Sequence, residues 1–250
     1  GEEVINSDSA ANILLKNNSL PNAEKTIVGD FDNITINQAI IGSIVKSDTE
    51  KVVISALKNE IDYVDVAKVN GNLNISIKAP NGIIFKGPIY ATIYAKDLIA
   101  VTANSASSII LKNPFTEDNI SFFVNGAAEI DGNTITAHKF NLTLTSSSQF
   151  TGAVNAKDVS IKATGASEVA ISGTTTNSNV IAQGASTISG KDLIADNADL
   201  KAKEASYITQ SVKSFAKGYA STASTINIFR KTPALIVNKT ISSAGKVNVK

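Results

Sequence analysis

A six-residue unit is written eight times along the second half of the chain: NSASSI from Asn104, NGAAEI from Asn125, TSSSQF from Thr145, TGASEV from Thr164, QGASTI from Gln183, KEASYI from Lys203, STASTI from Ser221 and SSAGKV from Ser242. Its central small residues are Ala106, Ala127, Ser147, Ala166, Ala185, Ala205, Ala223 and Ala244, separated by 21, 20, 19, 19, 20, 18 and 21 residues. A period this close to twenty suits one coil of a solenoid and is too short for an ankyrin, tetratricopeptide or propeller unit. The leucine-rich repeat fails on its missing asparagine and leucine ladder, and hexapeptide acyltransferase coils fail on their six-residue period. A regular Thr-x-Thr ladder for ice binding is missing too.

Aligned on the small residue, the copies alternate. Three residues after it stand Ile109, Ile130, Phe150, Val169, Ile188, Ile208, Ile226 and Val247, and three before it stand Ala103, Val124, Leu144, Ala163, Ala182, Ala202, Ala220 and Ile241. Five before, Val101, Phe122, Leu142, Ile161, Val180 and Leu200 continue the apolar face, with Gly218 and Lys239 departing from it. Period two with one apolar face means strands on both sides of a turn. Each coil is then strand, tight turn, strand, and a looser return such as GTTTNS from Gly173 or SGKD from Ser189, which absorbs the variation in length. Stacked coils place equivalent residues about 4.8 Å apart in parallel sheets. The buried Ile, Val and Phe contribute about 1.5–3 kcal/mol each. The small central residue is expected to point inward where the chain reverses over a thin core, with Gly126, Gly165 and Gly184 supplying positive φ before it. On that expectation Ala185→Asp costs several kcal/mol.

Before Ala103 the strand signals continue less regularly: KTIVGDF from Lys25, NITINQAI from Asn33, KVVISAL from Lys51, NLNISIKA from Asn72 and ATIYA from Ala91, with VNGN at Val69–Asn72 as a hairpin-like turn. This section begins the solenoid and closes its N-terminal end, since a bare coil would expose edges. Residues 1–25 read as a tail or linker, docked rather than free, and 26–250 as one β-helical domain, with 26–100 less regular and 101–250 carrying the eight repeats. The chain has 250 residues and 43% hydrophobic residues, enough for a substantial core. A net charge of +1, no basic cluster and a single arginine, Arg230, argue against nucleic acid as partner. No apolar run reaches the roughly 18 residues that span a bilayer. The chain contains no Met and no Cys, and its opening reads as that of a mature or trimmed chain, which is compatible with prior removal of an export signal.

GDFDNITI at Gly29–Ile36, VNGNLNISI at Val69–Ile77, YATIYAKDLIAVTANSASSI at Tyr90–Ile109 and the run of GAS-type turns together resemble the head GIN domain family of auto-transporter adhesins, over residue 26 to the C-terminus. The resemblance implies an all-β, pectin-lyase-like, single-stranded right-handed parallel β-helix, exported to the bacterial periplasm, outer-membrane surface or exterior. It implies adhesion to a cell surface, glycan or protein, and no catalytic residues, cofactor or metal to carry over. Ser147 and Glu204-Ala205-Ser206 depart from the glycine-containing form of the turn.

Because pectin-lyase-like helices include enzymes acting on polysaccharides, paired carboxylates are the rival reading. Glu129 and Glu168 each follow their small residue by two, two coils and so about 10 Å apart, slightly beyond the roughly 6.5–9.5 Å of an inverting glycosidase. The plainer reading is solvated charge on a solenoid face. Asp97 and Asp118 stand nine before the small residue in adjacent coils, where calcium could bridge them with Glu117 and Lys96 nearby. His138, the only histidine, excludes a Ser-His-Asp triad and reads as a loop residue. The serines read as turn residues bonding local backbone. Ile110, Phe123, Ile181 and Tyr219 point outward from different coils, as isolated positions or as a patch. Two functions compete with adhesion: a carbohydrate-active enzyme, and an envelope scaffold associating through its end coil, where Val247 and Val249 lie near the terminus with only Lys246 and Lys250 to cover them.

Overall fold

The computed structural model describes residues 22–250, whose regular elements are strands apart from one 3-10 turn at Ile61–Tyr63. Of the tail expected over residues 1–25, residues 1–21 lie outside the described residues; from Asn22 the chain is already strand. The N-terminal section contributes β1 (Asn22–Val28), β2 (Asn33–Ile36), β3 (Ile41–Lys46), β4 (Lys51–Leu57), β5 (Val64–Val69), β6 (Asn72–Ile77) and β7 (Tyr90–Ala95). It is followed by β8 (Ala100–Ala103), β9 (Ser108–Leu111), β10 (Phe115–Val124), β11 (Glu129–Leu144), β12 (Gln149–Ala163), β13 (Glu168–Ala182), β14 (Thr187–Ala202), β15 (Tyr207–Ala220), β16 (Thr225–Arg230), β17 (Ile236–Ile241) and β18 (Lys246–Val249).

From β8 onward every pairing is parallel and joins one coil to the next, so the repeat winds into a β-solenoid. Register follows the sequence alignment: Ile130, Phe150, Val169, Ile188, Ile208, Ile226 and Val247 are partners in one ladder. These residues and the apolar positions three before the small residue are buried, except Ile241 at the last coil, which is 50% exposed. Phe122, Phe140 and Phe150 cluster in the core, with ring centroids 5.6–5.9 Å apart. Lys239 occupies the register of Leu200 and Gly218 but stays exposed.

The return is more regular than expected. GTTTNS from Gly173 lies within β13 and pairs with β12 at every residue but Thr176, so this part of the coil carries a third ladder. Its backbone groups are therefore satisfied by the adjacent coils. The length variation does fall here, as expected: the register slips between Asp131 and Thr134, between Ala170 and Gly173, and between Gly190 and Ile194.

The turn corrects the expected inward alanine. In all eight copies the small residue and the one before it have positive φ, between 48° and 69°. Both middle residues of such a turn are carried to the outside, so Ala166 and Ala185 are exposed and Ser167 and Ser186 are buried. Ser148, Ser167 and Ser186 each donate their hydroxyl to the carbonyl three residues back, at 2.5, 2.8 and 2.9 Å. Each of these serines donates its own N–H to the hydroxyl of the serine one coil later, at 3.1–3.2 Å, and the series continues through Ser206 to Ser224. The exposed turns are bonded too, Ala166 N–H to the Gly184 carbonyl at 2.7 Å and Ala185 N–H to the Glu204 carbonyl at 2.8 Å. Glycine relieves both demands at Gly184, where a Cβ would sit 3.0 Å from the Gly165 nitrogen with φ at 69°, although Ser146, Glu204 and Thr222 hold the same conformation in other coils.

The N-terminal end is closed as anticipated. Strand β2 runs parallel between β6 and β8, and β3 parallel between β7 and β9. The chain between them folds back outward: β4 lies antiparallel to β7, β1 antiparallel to β4, and β5 antiparallel to β6. The β5–β6 hairpin turns at Asn70 and Gly71, with φ of 52° and 79°, which confirms the reading of VNGN. Buried Glu60 holds the cap by accepting the N–H groups of Lys86 and Gly87 at 2.7 and 3.2 Å.

Candidate functional site

Among the described residues the interior coils bury their apolar side chains and pair their backbone with one another, which leaves the outward side chains as the groups that can meet a ligand. Two outward rows run along the ladder that precedes the turns. One is Asn119, Lys139, Asp158, Asn177, Asn197 and Phe215; the other is Ser121, Asn141, Ser160, Asn179, Asp199 and Lys217. The chain bends just before them, where Lys157, Thr176 and Asp196 interrupt the pairing. The bend hollows the surface into an open groove of about 490 Å³, lined from Lys139 and Asp158 through Asn177, Asn179 and Asn197 to Phe215 and Lys217. Asn177 Nδ2 donates to Asp158 Oδ1 at 2.9 Å and Asn197 Nδ2 donates to Asn177 Oδ1 at 3.3 Å, so the carboxamides point one way along the axis. Lys139 and Lys217 balance the opposite charges of Asp158 and Asp199.

None of the groove residues was singled out from the sequence, although a signal exists. Lys139, Asp158, Asn177, Asn197 and Phe215 all stand eight residues before their small residue, and Asn141, Ser160, Asn179, Asp199 and Lys217 all stand six before it. Treating the return as a loose loop left these columns unaligned.

The expected carboxylate pair is placed as the repeat dictates. Glu129 pairs with Gln149 and Gln149 with Glu168, so the two acids are exposed, two coils apart, with a glutamine between them. Glu168 lines a depression of about 270 Å³ with Gln149, Thr151 and Thr187, and Glu129 does not. Asp97 and Asp118 are not gathered into one depression. Asp97 lines a hollow of about 470 Å³ in the N-terminal section with Asp30, Asp32, Glu50 and Lys68, and Asp118 lies outside it. Glu117 instead accepts the Leu98 N–H at 3.0 Å. Burial pushes its carboxyl above the usual range, aided by Asp97 and Asp32 and opposed by the Leu98 bond and Lys46. Lys96 offers its backbone carbonyl to Lys46 Nζ at 2.7 Å. Among the described residues no three His, Cys, Asp or Glu side chains are placed to hold a metal ion.

His138 is exposed on β11. The outward apolar residues stay apart: Phe123, Ile181 and Tyr219 share one row, but Thr143 and Lys162 separate the first two and Lys201 the last two. Ile110, 36% exposed, stands on the ladder after the turns.

Among the described residues no helix is long and apolar enough to cross a membrane. Solved structures share the architecture. A protein described as a "putative adhesin" from Parabacteroides distasonis superposes with a TM-score of 0.86 at 17% identity, covering 93% of this chain and 98% of that one. A "putative adhesin" from Parabacteroides merdae gives 0.82 at 15%, covering 92% and 96%. A "putative lipid binding protein" from Parabacteroides distasonis gives 0.79 at 16%, again covering 92% and 96%. At these identities the likeness speaks for the fold alone. No curated protein matches the sequence. The family described as "Putative auto-transporter adhesin, head GIN domain" matches residues 30–231, and the chain belongs to that family.

Proposed function

We propose that the protein is a non-catalytic, exported contact domain of the cell envelope, an adhesin that holds a surface glycan or protein through the outer face of its solenoid. The observation that carries this reading is the pair of outward rows repeated over successive coils and opening on a shallow groove. Such an array offers many similar weak contacts in a line, and linked weak contacts gain strength from effective concentration rather than from one deep pocket. Family membership supports the adhesive role, and the dispersed Glu129 and Glu168 support the absence of a carboxylate engine.

The test couples the purified domain to beads and measures their retention on bacterial surfaces, on glycan arrays and on matrix proteins, beside a polysaccharide-cleavage screen. Retention without cleavage is the expected result. Release of reducing or unsaturated ends from any polysaccharide, abolished by Glu168→Gln, would replace the adhesive reading with an enzymatic one.

A further inference from the structure

We propose that the groove from Lys139 to Lys217 binds one strand of a neutral glycan lying along the solenoid axis, with one sugar unit over each coil. This deepens the contact reading and rests on it. The first ground is charge. Two lysines and two aspartates among the lining residues balance, so the groove favours neither an anionic nor a cationic ligand. The second is hydrogen-bonding capacity. Asn177 and Asn179 are exposed carboxamides: Asn177, bonded to Asp158 and Asn197, keeps one N–H and one carbonyl lone pair for a ligand, Asn179 brings donors and an acceptor, and Ser160 adds a hydroxyl that can do either. Such groups match a chain of hydroxyls, which both give and accept.

The third ground is direction. The groove runs across the strands, and the interior coils spend their backbone groups on one another, so an extended peptide laid in it finds no strand edge to join. The rows instead repeat at about 4.8 Å, the scale of one pyranose unit in an extended glycan. The half-buried Phe215 stands at one end of the first row, where an aromatic face can meet the C–H face of a sugar ring.

A purely architectural role would account for the chain Asp158–Asn177–Asn197, because carboxamide ladders also clamp register. The molecule has such a clamp elsewhere: Asn104 donates to Asn37 at 3.0 Å and Asn125 to Asn104 at 2.9 Å, half-buried beside the turns. The groove differs from it in having a second polar row, an aromatic end and a concave, open surface.

The experiment is titration calorimetry of the full chain with neutral gluco-, xylo-, manno- and galacto-oligosaccharides of increasing length. In at least one series affinity should rise with each added sugar and level off at five units, the number of coils that line the groove. Binding should be insensitive to added salt, since no charged ligand is involved. Asn177→Ala combined with Asn179→Ala should weaken binding about tenfold or more while the chain still unfolds in one cooperative transition, lowered only slightly by the loss of two exposed side-chain bonds, whereas Thr209→Ala, on the ladder after the turns, should leave binding unchanged. Failure of every series to bind, steep salt dependence, or equal binding by the double variant would overturn the proposal. If bead retention persists without competition by any oligosaccharide, the glycan assignment falls and the contact reading stands; if retention itself is lacking, the contact reading falls first.

Discussion

Ser167 and Ser186, rather than Ala166 and Ala185, face the core at the tight turns, and a pair of substitutions separates the two arrangements. Ala185→Asp should leave thermal stability within about 0.5 kcal/mol, because the side chain is in solvent and aspartate tolerates the left-handed region better than alanine. Ser186→Ala should cost about 1 kcal/mol in urea denaturation, through the lost bond to the Gln183 carbonyl and the orphaned Ser167 N–H. The cost stays modest because a fallback exists: beside the coil where Ala128 replaces serine, the Ser107 N–H bonds the Asn104 carbonyl within its own turn at 3.1 Å. The serine position was legible. Residues three before and three after the small residue share a face, and by period two that face includes the residue immediately after it, never the small residue itself. What period two could not supply was the second left-handed residue, since alanine carries no sign of it. One further residue, Gln210, breaks the apolar pattern inside the core: it is 2% exposed, its Oε1 accepts the Ser178 hydroxyl at 2.9 Å, and its Nε2 finds no partner among the described residues. Replacing both partners together, Gln210→Leu with Ser178→Ala, should raise stability by about 1–3 kcal/mol, and a lower urea midpoint would show that the pair is satisfied in solution.

At the level of elements, the joint between the N-terminal cap and the regular coils is where acidity should matter. Glu117 of β10 accepts the N–H of Leu98, which lies in the link between β7 and β8. Its carboxyl titrates above the usual range chiefly because of burial, so the folded state holds this proton more tightly than the unfolded chain does. The resulting contribution is fully present below the unfolded value and is lost as pH rises through the folded one. Glu117→Gln, which can still accept from Leu98, should therefore match the parent in acid and become the more stable of the two as pH rises above about 4.5. Melting curves of both chains across that range decide it; a constant difference would mean that Glu117 has no raised value. Nothing in the letters EDN around Glu117 signals this, because the groups that surround it, Leu98, Asp97, Asp32 and Lys46, come from distant stretches of the chain. The strands themselves were legible wherever one face was apolar. The third ladder was not, because Gly173-Thr174-Thr175-Thr176 alternates no apolar residue and its pairing is supplied by the coils on either side.

For the molecule as a whole, a solenoid makes stability a sum over coils and their neighbours, so one coil should be removable. Excising residues 164–182 joins Ala163 to Gln183, and since Ala163 and Ala182 are register partners, the turn arrives in phase. Ser148 then meets Ser186 where it had met Ser167, and Phe150 meets Ile188 where it had met Val169. The shortened chain should unfold in one cooperative transition, with a denaturant slope reduced roughly in proportion to the surface lost. Because Asn177 and Asn179 leave with that coil, the same deletion reads the groove as well. If the groove holds one sugar per coil, the oligosaccharide length at which affinity levels off should move from five units to four while the salt insensitivity is kept. A shortened chain that folds but still levels off at five would place the ligand elsewhere on the solenoid, and one that fails to fold cooperatively would show that the coils are not interchangeable units.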